Sequence, residues 1–326
     1  MKRWLKILGS IIGILMLIAF VLFKIYLSPD YVDEPSLSSE LRNEVMTVDN
    51  LERSFLWYAS DSFDEINTII FVLHGSTSDG PSIRQGMGYE FDKIADKEGI
   101  AVVYPTGFEN HWNDCRGTAD YTANTNNVND FNFFLAIEKQ LEAHLKTTVQ
   151  YRFATGHSNG GHYSYKLALE HPEWIDGIAP ISANLPIDDN LDCGKSGQFV
   201  PICLINGTAD PINPYEGGLV EILGNASRGS VLSTDATMAY WTQLGNCSIS
   251  QVIELENKVT SDNSRVVQSS WQCDGIIQAV RYKIVDGGHT IPHEENQLAK
   301  ILGTTNKDIN APNLIWAFFK QLKANK

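Results

Sequence analysis

Three observations on the 326-residue sequence predict an α/β fold, a mostly parallel sheet with helices on both faces. Short apolar, β-branched runs alternate with amphipathic helical stretches, the pattern of successive strand–helix–strand units. A hydrophobic share of 43% suffices for one substantial core in a chain of this length. A Gly-x-Ser-x-Gly turn, Gly156 to Gly160, stands where a strand-like run gives way to a helical one.

The first element is a targeting segment, residues 1–27. Lys2, Arg3 and Lys6 precede an uncharged apolar run over residues 7–23. A helix rises about 1.5 Å per residue, so the run and its flanks just reach across a hydrocarbon core of roughly 30 Å. The positive flank stays inside. A cleavable signal peptide ends in small residues, whereas this run ends Phe23-Lys24-Ile25-Tyr26, so it is read as an uncleaved signal anchor rather than a cleaved one. The catalytic domain is then extracytoplasmic and membrane-anchored, or secreted if the segment is removed. Residues 28–40, rich in Ser, Pro, Asp and Glu, read as a solvated tether, and residues 41–326 as the catalytic domain.

Within that domain the strand readings are residues 55–59, 68–73, 100–104, 151–155, 177–182, 202–206 and 280–285. Each is a short apolar or β-branched run bounded by turn residues. Helices are read at residues 89–97, 129–145, 160–170, 234–244 and 311–323. In the second, Phe131, Phe134, Leu135, Ile137, Leu141 and Leu145 recur at helical spacing and are expected to face the sheet. Three long connections, around residues 109–128, 185–200 and 215–231, are candidates for a substrate-facing rim.

A net charge of −14 argues against a polyanionic partner, because phosphate backbones are bound mainly by clustered Lys and Arg. Nucleic acid is therefore not expected. The same balance favours neutral or polymeric substrates over anionic ones. Five cysteines, Cys115, Cys193, Cys203, Cys247 and Cys273, lie on the expected outer side, where disulfides persist. Cys247 and Cys273 flank a stretch that reads as a hairpin and are expected to pair. Cys115 with Cys193 is a second pairing, and Cys203, in an apolar run, reads as a buried thiol. No Cys or His spacing suits a metal, and no metal or cofactor is expected.

The chemistry centres on Ser158. A glycine-flanked turn between strand and helix forces the serine into a strained conformation that projects its hydroxyl from the sheet edge. A serine hydroxyl needs a base, and in this arrangement the partners follow in the order serine, acid, histidine. His289, in Asp286-Gly-Gly-His289-Thr290 after a strand run, is the favoured base, with His293 as its rival. Asp210 closes the preceding strand run and would accept the second ring N–H of His289. The backbone N–H groups of Asn159 and Ser76 are the expected oxyanion donors. His74, beside Ser76, reads as a structural histidine.

Six separated stretches carry a family resemblance: Leu73-His-Gly75, residues 91–105, Trp112-Asn-Asp114, residues 156–161, residues 206–218 and Gly287-Gly-His-Thr290. Together they resemble the secreted α/β-hydrolase esterases that include polyhydroxybutyrate depolymerases, feruloyl esterases and acetylxylan esterases. The resemblance implies an α/β-hydrolase fold and a carboxylic ester hydrolase without metal or cofactor, acting on a feruloyl or acetyl polysaccharide ester or a hydroxyalkanoate oligomer. Two departures stand out. Ser76 occupies a position where that family often has cysteine, and Ile291 one where it often has tryptophan. Two other readings use the same residues: a serine peptidase, which would need a charged anchor for a peptide terminus, and a non-enzymatic surface-binding protein on a hydrolase scaffold.

Overall fold

The computed structural model describes the backbone of residues 2–325 and the side chains of residues 12–325. The N-terminal half runs α1 (Lys2–Tyr26), β1 (Arg42–Val48), β2 (Leu51–Tyr58), β3 (Thr68–Leu73), α2 (Gly80–Gly86), α3 (Glu90–Glu98), β4 (Ala101–Pro105), α4 (Thr122–Thr125) and α5 (Asp130–Leu145). Then come β5 (Tyr151–His157), α6 (Asn159–Glu170), β6 (Gly177–Ile181), β7 (Ile202–Gly207), the short pair β8 (Gly218–Leu219) and β9 (Ser230–Val231), and α7 (Thr234–Leu244). The chain closes with β10 (Ser248–Glu254), β11 (Arg265–Cys273), β12 (Ile276–Val285) and α8 (Ala311–Ala324).

The main sheet has the order β1-β2-β4-β3-β5-β6-β7-β12-β11-β10. From β4 to β12 its neighbours are parallel; β1 and β2 at one edge and β11 and β10 at the other are antiparallel. Helices cover both faces. Side chains alternate across a strand, so Ile69, Phe71 and Leu73 of β3 join the core under α5, α6 and α7, while Ile70 and Val72 join the core under α2, α3 and α8. Burial on both faces explains why the central strands read as continuous apolar runs. In this order β5, β7 and β12 carry their following loops to one edge of the sheet, and the three proposed triad residues stand in those loops.

Several readings need correction. Helix α1 forms, but the basic flank Lys2, Arg3 and Lys6 and the apolar run up to residue 11 lie outside the described side chains. Among the described residues no helix is long and apolar enough to cross a membrane.

Residues 28–40 are not a solvated tether but a strap laid on the domain. Asp30 and Gln297 exchange two backbone hydrogen bonds, 2.9 and 2.8 Å. The Val32 N–H donates to Asn296 Oδ1 at 3.0 Å, Glu34 pairs with Arg84 at 2.5 Å, and Leu37 packs against the core. The polar composition that suggested solvation supplies partners to the domain instead.

In α5 the apolar stripe is rotated: Phe133 is fully buried while Leu135 is 40% exposed. Strands β1, β8 and β9 and helices α2 and α4 are additions to the elements read from sequence. Ser248 pairs with Gln272 across β10 and β11, so the expected hairpin is present. Cys247–Cys273 and Cys115–Cys193 are disulfides, and Cys203 is a buried free thiol.

Candidate active site

Ser158 sits between β5 and α6 with φ 54° and ψ −116°. A non-glycine residue at positive φ stores about 1–3 kcal/mol of strain, tolerated only where the surroundings enforce it. Here they do. A Cβ on Gly156 would meet the carbonyl carbon of Gly160 at 2.4 Å, and one on Gly160 would meet the carbonyl oxygen of Leu73 at 2.4 Å. The strand end, the helix start and β3 thus approach backbone to backbone, and the Ser158 N–H is tied to the Ile181 carbonyl at 2.8 Å.

Asp210 follows β7 and His289 follows β12, and the structure brings them together: His289 Nδ1 lies 2.8 Å from Asp210 Oδ2. Asp210 Oδ1 accepts the N–H groups of Ile212 and Asn213, both at 2.8 Å, which fixes the carboxylate. Both side chains are almost fully shielded from solvent, at 1% exposure for Asp210 and 4% for His289. The His289 N–H donates to the Leu302 carbonyl at 2.7 Å, holding the loop in place. His289 and Ser158 line one cavity of about 330 Å³, together with Ser76.

The rival histidine has other work. His293 Nδ1 accepts the N–H groups of Glu295 and Asn296 at 3.1 and 2.9 Å, and its Nε2 lies 3.6 Å from Glu90. His74 donates from Nδ1 to the Gly75 carbonyl at 2.7 Å and accepts the Gly107 N–H at Nε2 at 2.8 Å. Both nitrogens are used in shaping the loop that carries Ser76, and burial lowers its pKa to about 4.

The N–H groups of Ser76 and Asn159 have no backbone hydrogen-bond partner among the described residues. The Asn159 side chain is consumed elsewhere. Its Oδ1 accepts the Trp112 N–H at 2.8 Å, and its Nδ2 donates to Asp114 at 2.6 Å and to the Trp112 carbonyl at 3.1 Å. The Trp112-Asn-Asp114 stretch is therefore a brace for the start of α6. Burial opposes the Asp114 charge, but Arg116, at 2.5 Å, outweighs it and holds the carboxyl well below its ordinary value.

Of the three long connections, only the third reaches this cavity, through Ile222 and Arg228. The first two are joined by Cys115–Cys193 and back the third, through Tyr121 and Asn190 against Arg228. Sequence reasoning missed Tyr31 from the strap, Ile83 and Gly86 of α2, His157, and Leu298 and Leu302 near the C-terminus, all of which line the cavity. The Asp79 N-cap, whose Oδ1 accepts the Ser82 N–H at 2.8 Å, and Pro81 in the first turn were a readable start for α2. Nothing in the sequence marks Tyr31 or Arg228. Ile291 lies in the wall as a buried side chain, so the cavity is aliphatic at this point. A second cavity, about 440 Å³, is lined by polar groups including Asp130, Lys166 and Asp192 and holds none of Ser158, Asp210 or His289. Among the described residues no cluster of His, Cys, Asp or Glu could hold a metal.

The strand order, and the edge at which the three residues meet, define an α/β-hydrolase fold. In structure the chain matches an acetyl xylan esterase from Aspergillus awamori with TM-score 0.53 and 13% identity, over 86% of this chain and 99% of that one; this concerns the fold alone. In sequence it is similar to a protein named as an esterase, NocK, of Nocardia uniformis subsp. tsuyamanensis, 24% identical over 69% of this chain. It is likewise similar to a protein named as feruloyl esterase C of Aspergillus niger, 31% identical over 51% of this chain. A third relative is the bifunctional acetylxylan esterase/xylanase XynS20E of Neocallimastix patriciarum, 24% identical over 72% of this chain. The chain spans 65%, 58% and 35% of these relatives' own lengths. No family model matches. The chain is thus similar in sequence to proteins named as esterases, as the six stretches of sequence led us to expect.

Proposed function

We propose that this chain is a serine carboxylic ester hydrolase, with Ser158 as nucleophile, His289 as general base and Asp210 as the residue that positions His289. One observation carries the reading: a serine in a strained turn shares a cavity with a histidine whose far ring nitrogen is held by a buried, doubly anchored aspartate. Ser158 Oγ attacks the ester carbonyl as His289 Nε2 takes its proton, and the N–H groups of Ser76 and Asn159 receive the oxyanion. His289 protonates the departing alcohol, then activates water, and the acyl group leaves as a carboxylic acid. Asp210 keeps the Nδ1–H tautomer and stabilises the imidazolium without taking the proton.

The substrate class is a feruloyl or acetyl ester on a polysaccharide, in line with the names of the relatives, or a hydroxyalkanoate oligomer. Two disulfides support an extracytoplasmic site for the domain. The exposed apolar side chains of α1 beyond residue 12 support a role for that helix as a membrane anchor. The test is an ester panel of p-nitrophenyl acetate and butyrate, methyl ferulate, acetylated xylan and hydroxybutyrate oligomers, run on the wild type and Ser158→Ala. The proposal expects turnover of at least one ester and its loss in the variant. Turnover that survives Ser158→Ala removes the nucleophile from the account.

A further inference from the structure

Among the described residues four arginines are at least nine-tenths buried: Arg53, Arg84, Arg116 and Arg228. Three of them face a carboxylate, Arg53 with Asp130 at 2.7 Å, Arg84 with Asp92 at 2.6 Å and Arg116 with Asp114 at 2.5 Å. Arg228 is the exception. It is 9% exposed and forms no ion pair among the described residues; its Nε and Nη1 are shielded and lack any hydrogen-bond partner, which leaves Nη2 as the nitrogen with access to the cavity. Its guanidinium carbon lies 5.9 Å from the centre of the Tyr121 ring, and Asp120 and Asp114 act on its charge without forming an ion pair with it. The backbone around it is held, because Asn190 Nδ2 donates to the Arg228 carbonyl at 3.0 Å.

A buried cation without a counter-charge is costly, and structures keep such groups where something else neutralises them. Burial, and next the neighbouring Arg116 cation, push the Arg228 pKa below its ordinary value. Burial acts in the same sense on Arg84 and Arg116, but their paired carboxylates outweigh it and the net direction is upward. Arg228 also lines the cavity that holds Ser158 and His289. The cavity wall also carries four isoleucines, Ile83, Ile212, Ile222 and Ile291, and hydroxyl groups of Ser76, Thr77, Ser78 and Ser82, and Arg228 is its one side chain with a permanent charge.

We infer that Arg228 is a specificity-determining residue that binds a carboxylate carried by the ester substrate, so that the preferred substrates are esters bearing a free acid group. The inference rests on the proposed hydrolase reading of the cavity and narrows it. A guanidinium offers a planar fork of donors matched to a carboxylate. The net charge of −14 repels anions at long range, but that field is screened within about 10 Å in ordinary buffer, and inside a shielded cavity the nearest charge decides. The acid group can come from either side of the scissile bond. On the alcohol side it is the terminal carboxylate of a hydroxyalkanoate oligomer, and on the acyl side the second carboxylate of a dicarboxylic half-ester.

The experiment keeps the two sources apart and does not require turnover. Calorimetric titration of the Ser158→Ala full-length protein uses 3-hydroxybutyrate dimer as free acid and as methyl ester in one arm, and p-nitrophenyl hemisuccinate and its methyl ester in the other. The free acid should bind at least about tenfold more tightly than its methyl ester in one arm or both. That ratio should fall to about one when Arg228→Gln is added, and Arg228→Lys should retain part of it. Added salt should weaken the acid and leave the methyl ester nearly unchanged, a reading that needs no second variant. Equal binding of acid and ester in both arms, no binding of either acid, or a preference that survives Arg228→Gln overturns the inference. If the binding pattern holds while the wild type turns over no ester, the hydrolase reading falls and the role of Arg228 stands.

Discussion

His289 and His293 are four residues apart, separated by Pro292, and the structure gives them different surroundings. His289 meets Asp210, whereas His293 receives two backbone N–H groups and lies against Glu90. Replacing His289 with Ala should therefore remove nearly all ester turnover, by about a thousandfold or more, with little change in melting temperature. Replacing His293 with Ala should keep most of the turnover but cost about 1–3 kcal/mol of stability, since the buried Asn296 N–H and the part-buried Glu295 N–H lose their acceptor. Turnover and thermal melts of both variants check this, and loss of turnover in His293→Ala with survival in His289→Ala reverses the assignment. At this scale the sequence was most informative where chain order and glycines constrain the answer, as at Ser158, Asp210 and His289. It was silent on Arg228 and Tyr31, because a lone charged or aromatic residue in a long loop has no periodicity or partner spacing to reveal where it folds.

The strap and strand β1 are the elements that change most between sequence and structure. A segment rich in Ser, Pro and Asp has the composition of a linker, but composition does not record that its backbone pairs with Gln297 or that Tyr31 walls the cavity. Strand β10 is almost wholly exposed, so it lacks the apolar run that marks an interior strand. Strand β1 half-buries Glu44, Met46 and Val48 while exposing Val45, so one charged and one apolar residue break the alternation by which such a strand is read. The central strands, buried on both faces, were legible for the converse reason. A protein beginning at Ser28 should be active, since it retains the strap. One beginning at Leu41 should melt at lower temperature and lose activity, because it lacks the Glu34–Arg84 pair, the Asp30–Gln297 bridge and Tyr31. Equal activity and melting of the two would show that the strap is dispensable. In the hairpin, the Cys247–Cys273 bridge closes a separation of 26 residues, and its removal should cost about 3 kcal/mol in the chain-entropy model. Denaturant unfolding of a Cys247→Ser, Cys273→Ser double variant measures it.

For the whole molecule, three buried histidines set a pH limit on the fold. Burial lowers the pKa of His74 to about 4 and pushes His157 and His162 well below the ordinary value. In the unfolded chain these groups take up protons near pH 6.5, whereas the folded chain resists. Between those values the unfolded state binds more protons, so stability falls as pH drops from about 6.5 towards 4. His74 alone should contribute about 3 kcal/mol of this loss. Its protonation would also take Nε2 away from the Gly107 N–H and disturb the loop that carries Ser76. Unfolding free energies at pH 7, 6 and 5 should decline with uptake of one or more protons; a flat profile would mean that these imidazoles reach solvent.

The central claim is that the fold brings Ser158, His289 and Asp210 to one edge of the sheet as a working nucleophile. Labelling of the intact protein with a fluorophosphonate, followed by peptide mapping, tests it most directly, since the probe reacts with a serine only where a base and an oxyanion site activate it. One label per chain, located on Ser158 and lost in His289→Ala, is the expected result. A folded protein that takes no label, or takes it on another residue, or labels Ser158 equally well without His289, contradicts the account.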